Sequence, residues 1–278
     1  MYTIFRTRGD VVLIKNMLST VKTSTGHSWT VKTADNQSNS QIQSLISSTF
    51  SGADDDDVSL FLIATHGDSE STGTAAGALC TYQSATYTST LYLNTLAGWL
   101  KAVPGSMIVL LESCGSGAGV YQNANGGTTR IGFFDAKAAI DVFAAADTEI
   151  VTEETLEYFY DETGEPLVTE DGTPIVNVGE FRVANKFYVL TASDYLENSY
   201  GMAEDFQTTS GSYNVFPYYI KEGVGTSGSM PADNYSSYGN GDGKLTLNEL
   251  YHYVYDYSLS LQHTLVYPTN SSFVLFKR

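Results

Sequence analysis

Cys114 and His66 sit in matched local settings. Leu60-Phe61-Leu62-Ile63-Ala64 leads through Thr65 to His66, and Met107-Ile108-Val109-Leu110-Leu111 leads through Glu112-Ser113 to Cys114; glycine follows each reactive residue. A thiol is a strong nucleophile in its anionic form, and an imidazole in reach supplies the base. The two need to be neighbours only in space. Short, continuous apolar runs read as strands buried on both faces of a parallel sheet. Ligands of an open α/β sheet bind beyond the carboxyl ends of its strands. Strands over residues 59–65 and 107–111 would therefore carry the imidazole and the thiol to one edge. The N–H groups of Gly67 and of Cys114 itself would then be placed to hold an oxyanion. Taken singly, a buried cysteine is a small hydrophobe and a strand-end histidine is structural. The pair in matched settings points to nucleophilic catalysis.

The elements that must position this pair follow a repeated strand–helix–strand order. Val11, Ile14 and Leu18 have helical spacing, with Asp10 as N-cap. Residues 29–33 alternate and read as a strand, and residues 40–50 as a helix carrying Ile42, Leu45 and Ile46 on one face. The acidic run Asp54-Asp55-Asp56-Asp57 is a solvated loop ahead of the His66 strand. A helix over 93–101, stopped by Pro104-Gly105, precedes the Cys114 strand. Downstream come an Ala-rich helix over 135–146, a third buried strand over 186–191 and a last strand over 272–276. This order predicts an α/β fold: a mostly parallel sheet of about six strands with helices on both faces. Residues 1–278 form a single domain, with a hairpin insertion at about 153–178 punctuated by Asp161-Glu162-Thr163-Gly164 and Glu170-Asp171-Gly172-Thr173.

Composition narrows the partners. With 14 basic against 31 acidic residues, the net charge of −17 repels phosphate backbones, which argues against nucleic-acid binding. Cys80 and Cys114, the two cysteines, make no disulfide framework. There is no apolar run long enough for a membrane-spanning helix. The remaining histidines, His27, His252 and His263, lack zinc-site spacing. A surface rich in Tyr, Ser, Thr and Asn and poor in cations suits a secreted or cell-surface protein.

The sequences His66-Gly67 and Glu112-Ser113-Cys114-Gly115-Ser116-Gly117, each after an apolar strand, resemble the caspase, legumain and clostripain superfamily of cysteine peptidases. Their separation of 48 residues (114 − 66) is close to the roughly 50 of caspases. The resemblance runs from about residue 6 to residue 276 and is sharpest at these two motifs. It implies a caspase-like three-layer sandwich and an endopeptidase in which Cys114 attacks the scissile carbonyl. His66 would protonate the leaving amine, and the amides of Gly67 and Cys114 would hold the oxyanion. Three positions echo the family's pocket for the residue before the cut: Arg6, Glu112, and Asp205 after Glu197-Asn198-Ser199-Tyr200. Glu112 and Asp205 alone would favour Lys or Arg; Arg6 beside them would favour Asn. Where legumain has Asn two residues before its pocket arginine, this chain has Ile4. Self-cleavage is a family habit, and residues 115–130 and 145–174 are candidate loops for it. The alternatives are a non-catalytic protein-binding module on the same scaffold and a transpeptidase or peptide ligase using the same dyad.

The chemistry of the dyad needs no cofactor, but one stretch raises calcium. Asn240-Gly241-Asp242-Gly243-Lys244-Leu245-Thr246-Leu247-Asn248-Glu249 fits the later positions of an EF-hand loop over 238–249. Side-chain ligands would come from Asn240, Asp242 and Glu249 and a carbonyl from Lys244. Tyr238 fills the first position, where a carboxylate is usual. The competing structural account is a tight turn followed by a capping box, Thr246 with Glu249, opening a helix over 247–259.

Overall fold

The computed structural model describes residues 2–5, 8–71, 75–84, 88–120, 143, 150–151, 156–158, 176–178, 183–202, 213–226 and 228–278. The first half runs β1 (Tyr2–Phe5), α1 (Arg8–Leu18), α2 (Asn39–Thr49), β2 (Val58–Ala64), β3 (Leu79–Tyr82), β4 (Thr88–Leu91), α3 (Leu93–Lys101) and β5 (Ser106–Glu112). The second half runs β6 (Ile150–Val151), β7 (Leu156–Tyr158), β8 (Val176–Val178), β9 (Val183–Ala184), β10 (Phe187–Thr191) and α4 (Val215–Val224). It closes with β11 (Lys244–Thr246), α5 (Leu247–Ser258), β12 (Leu265–Tyr267) and β13 (Val274–Lys277).

The central sheet has the order β1-β2-β5-β10-β12. Its first four strands are parallel, and β12 joins β10 antiparallel. This is the mixed α/β architecture with a mostly parallel sheet that the strand–helix order predicts. Successive side chains of a strand face opposite sides of a sheet, and here both sides are covered. Leu60, Leu62, Ile108, Leu110, Tyr188 and Leu190 pack with α1, α4 and α5. Phe61, Ile63, Met107, Val109, Leu111, Phe187 and Val189 pack with α2 and α3. Burial on both faces is why the strands read as unbroken apolar runs rather than alternating ones.

Several expectations need correction. Among the described residues the sheet has five of the about six strands expected. Residues 29–33 alternate in sequence but form no strand, and their partly buried Trp29 and Val31 rest against the core without pairing. The last strand leaves the sheet: β13 pairs antiparallel with β11 in a separate ribbon. Its place at the sheet edge goes to β12, too short to stand out in sequence. Helix α1 starts at Arg8, so Asp10 lies inside its first turn, fully buried, and accepts the Asn214 N–H at 2.8 Å rather than capping the helix. Helix α2 opens on a reciprocal capping box, Ser38 with Gln41. Within the expected insertion, β7 pairs antiparallel with β8, Leu156 opposite Val178. The Ala-rich helix expected over 135–146 lies outside the described residues apart from buried Phe143. No described helix is long and apolar enough to cross a membrane.

Leu62 sits at the centre of one core, fully buried. Leu62→Ala should lower the unfolding free energy by about 2–5 kcal/mol, read from the urea midpoint at constant slope. A loss under about 1 kcal/mol would mean that this face of the sheet is not the packed layer described.

Candidate active site

Strands β2 and β5 are paired from Val58 opposite Ser106 to Ala64 opposite Glu112. The ladder continues one step further, with the Thr65 N–H donating to the Glu112 carbonyl at 2.9 Å. His66 lies two residues past Ala64, and Cys114 two past Glu112. Both therefore leave the carboxyl edge of the sheet at the same level, on adjacent strands. Both line one cleft of about 390 Å³, together with Thr65, Glu112, Ser199, Gly201 and Asn214.

The two glycines hold these loop ends together. A Cβ on Gly67 would run into the Cys114 carbonyl oxygen and lie 2.9 Å from the Ser113 Cβ. Gly115 has φ +66°, a left-handed conformation suited to glycine, and a Cβ there would strike the Asp68 carbonyl. Each loop thus passes through the space that a side chain on the other would need. The His66 loop is also fenced from outside by β3. The Cys80 N–H donates to the His66 carbonyl at 2.8 Å, the Asp68 N–H to Ala78 at 2.9 Å, and the Thr65 hydroxyl to Cys80 at 2.6 Å. Neither the Gly67 N–H nor the Cys114 N–H donates in the bonds that hold the two loops. Fixing the backbone in this way leaves the imidazole exposed at the cleft mouth, while Cys114 is half-buried.

The sulfur has a backbone partner that sequence reading missed. The Ser199 N–H donates to Cys114 Sγ at 3.3 Å, and the Ser199 hydroxyl and carbonyl lie 3.8 and 3.9 Å from it. Ser199 was visible as part of Glu197-Asn198-Ser199-Tyr200, but nothing local announces a contact across 85 residues. Asn214 had no sequence signal either. It enters the cleft through an antiparallel bridge with Gly201.

Glu112 forms part of the cleft wall and is 1% exposed. Burial pushes its carboxyl well above the ordinary carboxylate range; the nearby Asp10 carboxylate adds to this, and the Ser199 side chain opposes it by hydrogen bonding. Its Oε2 is buried with no hydrogen-bond partner. Arg6 and Asp205, the other expected pocket residues, lie outside the described residues.

The calcium candidates lie elsewhere, where β11 meets α5. Asn240 Oδ1 accepts the Asp242 N–H at 2.9 Å, and Asp242 Oδ1 accepts the Lys244 N–H at 2.8 Å. Glu249 Oε2 accepts the Thr246 N–H and hydroxyl, both at 2.8 Å, which is the capping box of α5. Buried Asp233 organises the turn by accepting the Asp242 and Gly243 N–H groups at 3.2 and 2.9 Å. Each oxygen that Asn240, Asp242 and Glu249 use here is engaged with the chain. Among the described residues, the one group of three carboxylate, imidazole or thiol side chains close enough to share an ion is exposed Asp54, Asp56 and Asp57.

No protein-family model matches the chain, and no curated protein does. Among solved structures it is similar to caspase-1 from Spodoptera frugiperda, with a TM-score of 0.45 and 14% identity, over 100% of this chain and 83% of that one.

Proposed function

We propose that this chain is a cysteine endopeptidase in which Cys114 is the nucleophile and His66 its proton partner. The observation that carries the reading is the equal overhang of the two residues past a matched parallel register, into one shared cleft. Adjacent strands lie about 4.8 Å apart, a spacing that leaves room for a peptide carbonyl between an imidazole and a sulfur extending from them. The thiol proton passes to the imidazole, and the sulfur adds to the scissile carbonyl carbon. The oxyanion meets the N–H groups of Gly67 and Cys114. Collapse breaks the C–N bond, His66 delivers its proton to the departing amine, and a thioester remains on Cys114. Water, deprotonated by His66, adds to that thioester and releases the acid and the thiol.

Glu112 gives the cleft its preference. A buried carboxyl with an unpartnered oxygen is favourably met by a cation, which would also draw it back to its ionised form. The residue before the cut is therefore Lys or Arg, ahead of Asn. The sign of the pH effect follows. Because the Glu112 pKa is raised, its charge is lost at milder acidity than that of an ordinary carboxylate. KM for Lys and Arg substrates should climb as pH falls through that range, with a smaller change for an Asn substrate.

Iodoacetamide should alkylate Cys114 much faster than Cys80, and Cys114→Ala should abolish turnover of a Lys/Arg peptide library; equal, slow labelling of both thiols would remove the nucleophile assignment. Gly67→Ala should cost about 100-fold in kcat/KM, the scale expected when reacting groups move by about 1 Å, and wild-type kinetics in that variant would show that the loop contact does not set the dyad. Glu112→Gln should raise KM for Lys and Arg substrates and flatten its pH dependence; an unchanged Lys/Arg preference would show that Glu112 does not read the substrate.

A further inference from the structure

The Ser199 N–H that reaches the sulfur belongs to a segment, residues 194–201, that meets the cleft through main-chain bonds and through the Ser199 side chain, which bonds Glu112. The Gly115 N–H donates to the Glu197 carbonyl at 2.7 Å, and the Ser199 N–H to Cys114 Sγ at 3.3 Å. The Asn198 side chain adds one contact, accepting the Ser69 hydroxyl at 2.8 Å on the His66 loop.

What fixes the segment lies on the outer side, in the turn after α5. One carboxylate oxygen of Glu197 accepts the N–H groups of His263, at 2.8 Å, and of Asp194, at 3.0 Å. The other oxygen meets His263 Nδ1 at 2.6 Å. Fully buried Gln262 adds a second tether. Its Oε1 accepts the Tyr200 N–H at 2.8 Å and its Nε2 donates to the Ala192 carbonyl at 2.8 Å. Burial raises the Glu197 pKa, but the Asp194 N–H and the His263 ring and N–H outweigh it, and the net direction is downward. The carboxylate is held in its charged form by two bonds to His263 on that turn and one to Asp194 in its own segment.

We infer that Glu197, with Gln262 and His263, is a positioning residue: it clamps the 194–201 segment to the turn at 262–263 and so sets the Ser199 N–H against the Cys114 sulfur. The inference rests on the reading of Cys114 as nucleophile. An N–H aimed at sulfur is a partner for negative charge there. Losing that geometry should slow attack by the sulfur about tenfold or more. Gln at 197 can keep the pattern. Its oxygen accepts the two backbone N–H groups, and its amide donates to the His263 ring in the other tautomer.

The test uses the full chain and needs no substrate: alkylation of Cys114 by iodoacetamide at neutral pH and well below the melting temperature, with Cys80 as internal reference. Glu197→Ala should slow Cys114 about tenfold or more with the Cys80 rate unchanged, and Glu197→Gln should stay within about twofold of wild type. His263→Ala, at a half-exposed ring, is the variant to use if Glu197→Ala does not fold, and should be slowed by less. A purely structural Glu197 would lower the melting temperature and leave the Cys114 rate in the folded protein at or above wild type; that result overturns the inference. If instead wild-type Cys114 reacts no faster than Cys80, the nucleophile reading fails, which is a separate result from wild-type speed in Glu197→Ala.

Discussion

Two chains that leave neighbouring parallel strands normally diverge, and the candidate site depends on their not doing so. The Gly67 backbone lies where any side chain would meet the Cys114 carbonyl, and Gly115 lies in the same relation to Asp68. This reciprocal contact is steric, so it is stiff: close-packed backbone gives way only by moving whole loops. The level of His66 against Cys114 is consequently set by main-chain geometry, through the β2–β5 register and the two glycines. Around that contact the rest is support. The hairpin of β3 and β4 fences the His66 loop, and the segment after β10 closes on the sulfur.

Much of this was legible because one physical cause, burial on both faces, writes itself locally. The runs before His66 and Cys114 read as strands and are strands, and Leu93–Lys101 was delimited by its own helical spacing and by Pro104-Gly105. What failed depends on partners distant in the chain. Residues 29–33 have the alternation of a strand but no described neighbour to pair with. Conversely Leu265–Tyr267 is only three residues long, and it is a sheet strand because β10 offers an open edge. Residues 272–276 have the composition of a core strand, yet β11 captures β13 into a ribbon of its own. Asp10 has the chemistry of a cap, but its carboxylate is drawn inward to Asn214, 204 residues away.

The site divides in the same way. His66, Gly67, Cys114 and Glu112 are close to strand ends, so a strand assignment places them. Ser199, Gln262 and His263 reach the cleft or its supports through loop-to-loop contacts, and spacing in sequence says nothing about those. The Thr246–Glu249 capping box was readable because its bonds close within a single turn of chain. Whether Asn240 and Asp242 were turn residues or ligands was not, since the same side chains serve both, and Asp233, which orders the turn, precedes the stretch.

Two carboxylates near the cleft are held in opposite ways. Glu197 accepts two backbone N–H groups and meets an imidazole, and its pKa is lowered despite partial burial. Its hydrogen-bonding capacity is spent inside the protein. Glu112 is more deeply buried, has Asp10 for a neighbour, keeps an oxygen without a partner, and its pKa is raised. Leaving a buried polar atom unmatched costs about 1–3 kcal/mol, and folding alone gives no reason to keep such a group when an apolar residue of the same size would fill the space. An acid retained at that cost beside the sulfur is, on the proposed reading, one that a substrate group would meet. In a chain carrying 31 acidic residues against 14 basic ones, a cation would relieve both Glu112 and its acidic neighbour, which is why the proposed reading puts Lys or Arg before the cut.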